Sequence, residues 1–120
     1  MIVLDASAAL AFLQGEAGAD DVASRLAGSR MGAANLSEVL ARMGGGIEAS
    51  VAEALLVARG VTIEPVSAQD ARRAAALHAA RPDLSLGDRL CLALADRLDA
   101  DALTADRAWG SNLGVIHIRL

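Results

Sequence analysis

Apolar and polar positions along the chain follow two different periods, and the switches between them predict its elements. Ile2 to Leu4 is a brief apolar run ended by Asp5, and residues 6–13 follow as a helix-prone stretch, so a strand passes directly into a helix. Gly15 and Gly18 punctuate a turn, after which Val22, Ala23 and Leu26 stand at helical spacing within 19–26. Residues 30–33 read as a short second strand. Leu36, Val39, Leu40 and Met43 share one face of a helix over 35–43, the Gly44-Gly45-Gly46 run stops it, and the helical period resumes over 49–58, which predicts a helical hairpin. Val61 to Glu64 is β-rich and stopped by Pro65, a third strand. Two longer helices follow over 67–80 and 85–98, and the second is apolar on every side across 90–95, the mark of central burial. Residues 101–104 and 115–118 supply two more short strands. Strands alternating with helices predict a parallel, helix-covered α/β sheet, and 120 residues suit a single domain spanning 1–120.

Composition narrows the chemistry. Fifteen acids face 11 bases, and every base is arginine. Without lysine there is no phosphate-loop lysine and no Schiff-base amine, and a receiver-type phosphorylation domain would lack the lysine it normally carries. A net charge of −4 runs against a broadly basic nucleic-acid surface. The objection weakens if Asp5, Glu38, Asp88 and Asp106 surround a divalent cation, because of the 15 acids 11 then remain against 11 arginines. Cys91 is the only cysteine, which excludes an intrachain disulfide and argues against thiolate-bound zinc. Apolar residues make up 54% of the chain, above the usual range of about 45 to 50%, so some apolar surface is left for a partner. No apolar run approaches the roughly 20 residues of a membrane span, and the N-terminus meets an aspartate at position 5 instead of a basic signal start. The expectation is a soluble, cytoplasmic protein.

In an open parallel sheet, ligands gather outside the carboxyl ends of the strands near the point where strand order reverses. Asp5 ends the first strand, and Asp106 follows the strand that ends at Thr104. Each of the four acids also has a purely local role open to it. Asp5 and Asp106 suit helix N-caps. Glu38 completes a capping box with Asn35 as N-cap, and Asp88 completes another in Ser85-Leu86-Gly87-Asp88. Ser67-Ala68-Gln69-Asp70 repeats the pattern with no chemistry attached. Company separates the last two: Asp88 opens the apolar helix and is expected to lie against the core, whereas Asp70 opens an arginine-bearing helix expected at the surface. A carboxylate turned inward needs a partner or a cation, or it takes up a proton.

Thr104 and Ser7 each stand two residues from an acid, placed to hydrogen-bond carboxylates or water, or to satisfy local backbone. Oxygen ligands alone select Mg²⁺ or Mn²⁺ over zinc, and phosphodiester hydrolysis suits such a site. Arg89 and Arg107, beside Asp88 and Asp106, are candidate phosphate contacts, with a solvated or carboxylate-paired arginine as the default. His78 and His117 have no serine or cysteine nearby in sequence to suggest a triad and read as surface or strand-packing residues. Cys91, Trp109 and Phe12 read as core, which argues against single-strand binding by base stacking.

Taken together, Ile2-Val-Leu-Asp5-Ala-Ser7, Asn35-Leu-Ser-Glu38, Leu84-Ser-Leu-Gly-Asp88-Arg-Leu-Cys-Leu-Ala-Leu-Ala95 and Leu103-Thr-Ala-Asp106-Arg-Ala-Trp109 resemble the PIN-domain nucleases, and more narrowly the VapC-type toxins. The resemblance runs in order through essentially the whole chain. It implies a three-layer α/β/α sandwich on a short parallel sheet of four to five strands. It also implies a Mg²⁺- or Mn²⁺-dependent endoribonuclease site, homodimerisation, and inhibition by a small VapB-type antitoxin. On this resemblance Asp5, Glu38, Asp88 and Asp106 are the catalytic and metal-site acids, with Thr104 and Ser7 as supporting hydroxyls. Two features depart from the family pattern and bear on RNA affinity: Gly87 and Arg89 flank Asp88 where small or aliphatic residues are common, and lysine is absent. A non-catalytic PIN-like binding module and a hydrolase of small phosphoesters are the alternative functions.

Overall fold

Val3 and Leu4 are fully buried, and β1 (Ile2–Leu4) is apolar at every position because both faces of a central parallel strand are covered. The computed structural model describes residues 1–111 and 114–120. Along the chain β1 is followed by α1 (Ala6–Leu13), α2 (Ala19–Ala23), β2 (Arg30–Gly32), α3 (Ala33–Arg42), α4 (Gly46–Ala58), β3 (Thr62–Glu64), α5 (Ala68–Ala80), α6 (Leu86–Arg97), β4 (Asp101–Thr104), a 3₁₀ turn at Arg107–Trp109, and β5 (Val115–His117). The five strands form one sheet in the order β3-β2-β1-β4-β5, and every neighbouring pair is parallel. This is the expected α/β sandwich.

Side chains alternate across the sheet and divide the core in two. Leu4, Met31 and Leu103 pack with Ala8, Ala9, Val22, Leu36, Val39 and Leu56 from the first four helices and with Leu26 from the turn after α2. Val3 and Ala102 face the other way, against Leu84, Cys91, Leu94, Ala95 and Trp109. The chain winds outward from β1 in both directions, through β2 to β3 and separately through β4 to β5, so strand order reverses beside β1. The crevice at that reversal opens between the carboxyl ends of β1 and β4, where Leu4 pairs with Leu103 and the Asp5 N–H donates to the Leu103 carbonyl (3.1 Å).

Three local expectations need correction. The helix predicted over 19–26 stops at Ala23, and Leu26 reaches the core from the turns that follow. The second helix of the hairpin begins at Gly46, three residues before the predicted 49. Most consequentially, α3 starts at Ala33 with Gly32 as its N-cap, so Asn35 is not a cap. β2 passes into α3 with no loop between them, which places Asn35 inside the first helical turn and frees its amide for other partners. Among the described residues, no helix is long and apolar enough to cross a membrane.

Candidate active site

Asp5 leaves β1 in extended conformation and caps α1, its Oδ1 accepting from the Ala8 N–H (2.8 Å). Cap and site are not exclusive here, since the same carboxylate also accepts from the Ser7 hydroxyl (2.8 Å to Oδ1, 2.9 Å to Oδ2) and, at Oδ2, from the Thr104 hydroxyl. Thr104 Oγ1 accepts in turn from the Asp106 N–H (3.0 Å), and Ser7 Oγ accepts from the Ala105 N–H (2.9 Å). The two hydroxyls therefore bind the end of β4 to the start of α1, and they fix the orientation of Asp5. Burial pushes the Asp5 carboxyl up to about 6; the hydrogen bonds from Thr104, Ala8 and Ser7 oppose that rise, and the Asp88 charge adds to it. Asp5 is only 3% exposed.

Glu38 projects from α3. Its Oε1 accepts from the Asn35 Nδ2 (3.0 Å), and its carboxylate lies against Gly87 at the start of α6. Glu38 is exposed as a residue, but partial desolvation against α6 raises its carboxyl, Asn35 opposes the rise, and the Asp88 charge adds to it. Asp88 is the third residue of α6 and forms the expected capping box with Ser85, with contacts of 3.2 Å in both directions. Its charge reaches both Asp5 and Glu38, so the three acids share one field. Cys91, buried one turn further along α6, carries the same imprint: burial first, then Asp5, Asp88 and Glu38, hold its thiol protonated. Asp106 caps the 3₁₀ turn by accepting from the Ala108 N–H (2.9 Å).

All four carboxylates line a single open cavity of about 750 Å³, together with Ser7, Gln14, Arg42 and Arg107. Among the described residues, no three of the acids, histidines or cysteines are drawn in to chelating distance, so the carboxylates line the cavity without closing on one point. The donors are all oxygens, and donors of this type nevertheless suit a hard cation. Among the described residues, five arginines pair with acids, and none of those acids is Asp5, Glu38, Asp88 or Asp106. Asp5 is the buried member, and a buried carboxylate without a cationic partner either takes up a proton or holds a metal ion.

The capping-box acids exchange the environments expected of them. Asp70 is the buried one, 2% exposed, and it accepts from Arg97 at both oxygens (2.8 and 3.1 Å), whereas Asp88 is half-buried on the cavity wall. Arg89 does not line the cavity: its guanidinium donates to the carbonyls of Ala74 (2.9 Å) and Leu84 (3.4 Å), tying α6 to α5. Arg107 does line it while donating to the Ile118 carbonyl (2.8 Å). Arg42 and Gln14 also reach this wall and carried no distinguishing signal, since a base in the last turn of a helix and a polar residue after one are both ordinary. Trp109 and Cys91 are core; Phe12 is half-buried beneath the Arg59 guanidinium, 5.1 Å from the ring centre; His78 is exposed; and His117 Nε2 lies 2.7 Å from the Gly110 carbonyl.

The PIN-domain family model matches residues 2–111. No curated protein sequence matches the chain. Among solved structures, a toxin-antitoxin complex from Klebsiella pneumoniae is similar with a TM-score of 0.83 at 18% identity, covering 97% of this chain and 96% of that one. VapC20 from Mycobacterium tuberculosis, a sarcin-ricin-loop-cleaving toxin, has a TM-score of 0.70 at 22% identity, with 93% and 97% covered. VapBC2 from Rickettsia felis, bound to a DNA fragment of its promoter, has a TM-score of 0.74 at 15% identity, with 98% of both chains covered. The structural likenesses carry the fold, the family match spans most of the sequence, and the chain belongs to the PIN-domain family.

Proposed function

We propose that this chain is a metal-dependent endoribonuclease that acts as the toxin of a VapBC-type pair. One observation carries the reading: four carboxylates from four separate segments line one cavity at the strand-order reversal, and none of them has an arginine partner among the described residues. Asp5, Glu38, Asp88 and Asp106 would hold the cation. When bound, Mg²⁺ or Mn²⁺ supplies charge stabilisation at the scissile phosphate and activation of water. Ser7 and Thr104 hold the Asp5 carboxylate in one orientation, which spares it reorganisation during the reaction. Arg42 and Arg107 stand on the same wall, where a guanidinium can engage an RNA phosphate.

The toxin role rests on likeness to the toxin-antitoxin structures, and it implies a small VapB-type antitoxin as partner and a homodimer as the active assembly. Internal cleavage of an end-labelled RNA should require Mg²⁺ or Mn²⁺ and cease with a chelator, leaving 5′-phosphate and 3′-hydroxyl ends. Cyclic-phosphate products formed without divalent ions would overturn the mechanism, and hydrolysis of a chromogenic phosphoester but not RNA would move the substrate class.

Thr104→Val preserves shape while removing the hydroxyl that orients Asp5. It should weaken Mn²⁺ binding roughly 10- to 100-fold, the usual cost of losing a hydrogen-bond partner of a metal ligand. Titration calorimetry measures this directly, and unchanged affinity would remove Thr104 from the account.

A further inference from the structure

Gly87 is the second residue of α6, a position where alanine is intrinsically the better helix former by about 1 kcal/mol. Its φ is not in the left-handed region, so the backbone does not call for glycine. What calls for it is Glu38. A Cβ built on Gly87 would overlap Glu38 Oε1 and would stand 2.8 Å from its Cδ and 3.0 Å from Oε2. The carboxylate thus occupies the space a side chain at 87 would fill.

Asn35 holds the same contact from the other side. It is 1% exposed, and its Nδ2 donates both to Glu38 Oε1 (3.0 Å) and to the Gly87 carbonyl (3.1 Å). Both partners are acceptors, so only the NH₂ end of the amide fits between them. Its Oδ1 is buried without a hydrogen-bond partner among the described residues, so the side chain gives up one bond to make these two.

We propose that Asn35 and Gly87 are positioning residues that seat the Glu38 carboxylate against the first turn of α6, on the Asp88 side of the cavity. Asn35 clamps the carboxylate to the α6 backbone, and the missing side chain at Gly87 lets it approach. The inference rests on the cation-site reading of the same cavity, and it assigns these residues an action through Glu38 and none on substrate.

Gly87→Ala separates this role from a structural one. The obstructed group is the far end of a flexible side chain, so Glu38 swings aside at little cost while the helix gains from alanine. The variant should unfold at or above the wild-type temperature, and its Mn²⁺ dissociation constant, measured by calorimetry without RNA, should rise about tenfold or more. In a Glu38→Gln background the same substitution should add little further loss, because the two act through one carboxylate. Asn35→Ala should weaken Mn²⁺ binding similarly. Wild-type affinity in Gly87→Ala, or full additivity with Glu38→Gln, overturns the positioning role while leaving the cation site intact. A wild-type protein that binds no Mn²⁺ overturns the functional reading and this inference with it.

Discussion

Asp5→Asn is expected to abolish RNA cleavage and, in cation-free buffer at neutral pH, to make the protein more stable. The loss of activity follows from removing a ligand charge at the most buried of the four carboxylates, and a fall of roughly 10²- to 10³-fold is the usual scale for losing one preorganised charge-stabilising contact. The gain in stability follows from the environment that makes Asp5 useful. Its carboxyl sits at about 6 in the fold against an ordinary 3.8, so the folded state binds the proton more tightly than the unfolded one. Such a group contributes no penalty below 3.8, loses stability as pH rises from there to about 6, and carries the full cost above it. At 1.36 kcal/mol per pH unit, that cost is about 3 kcal/mol at pH 7. Asparagine keeps the Oδ1 acceptor that caps α1 and removes the charge. The variant should therefore melt roughly 5 °C or more above wild type at pH 7, with the gap closing at pH 4. Added Mn²⁺ should stabilise wild type and leave the variant unchanged. A variant less stable than wild type at both pH values would show that Asp5 serves the fold, not a cation.

The largest loss of stability is expected at Asp70, the capping-box acid of α5. Burial alone would raise the Asp70 carboxyl, but hydrogen bonds from Arg97 and Ser67 outweigh it and hold the group below the ordinary carboxylate range. The pair's contribution is present in full above the unfolded value of 3.8 and is lost as pH falls through the lower folded value. Arg97→Met keeps most of the aliphatic stem and leaves Asp70 buried and unpaired, at a cost of about 3 kcal/mol. That is a large share of the 5 to 15 kcal/mol typical of a domain, and urea unfolding at pH 7 reads it. The double variant Asp70→Asn with Arg97→Met should recover much of the loss, because no buried charge then remains. Additive losses would mean that the bond between α5 and α6 stabilises in its own right.

Why the sequence ranked these two acids the wrong way round is instructive. Ser67-x-x-Asp70 and Ser85-x-x-Asp88 make the same box with the same local geometry. What differs is the surface opposite, and for Asp70 that is Arg97, 27 residues away along the chain. Hydrophobic spacing on either helix carries no trace of it. Asn35 misleads for a related reason: Asn-x-x-Glu reads as a capping box only if the helix begins there, and β2 running unbroken into α3 removes that start. The strands were more legible, since apolar runs stopped by Asp5, Pro65 and Asp106 mark their carboxyl ends without help from distant partners. Because parallel strands present those ends on one rim, acids placed just beyond β1 and β4 meet at a single crevice. Glu38 and Asp88 enter it from helices, and their arrival depends on how α3 packs against α6, a relation no local pattern encodes. The same holds for Arg42, which lines the cavity, and for Arg89, whose guanidinium turns away to α5.

The most direct test of the cation site is calorimetric titration of Mn²⁺ into the wild-type protein and into Asp88→Asn. Saturable binding by wild type that is lost or weakened at least about a hundredfold in the variant is the predicted result. Equal affinity in the two proteins, or no binding by wild type, would contradict the claim that these four carboxylates form a metal-dependent hydrolytic centre.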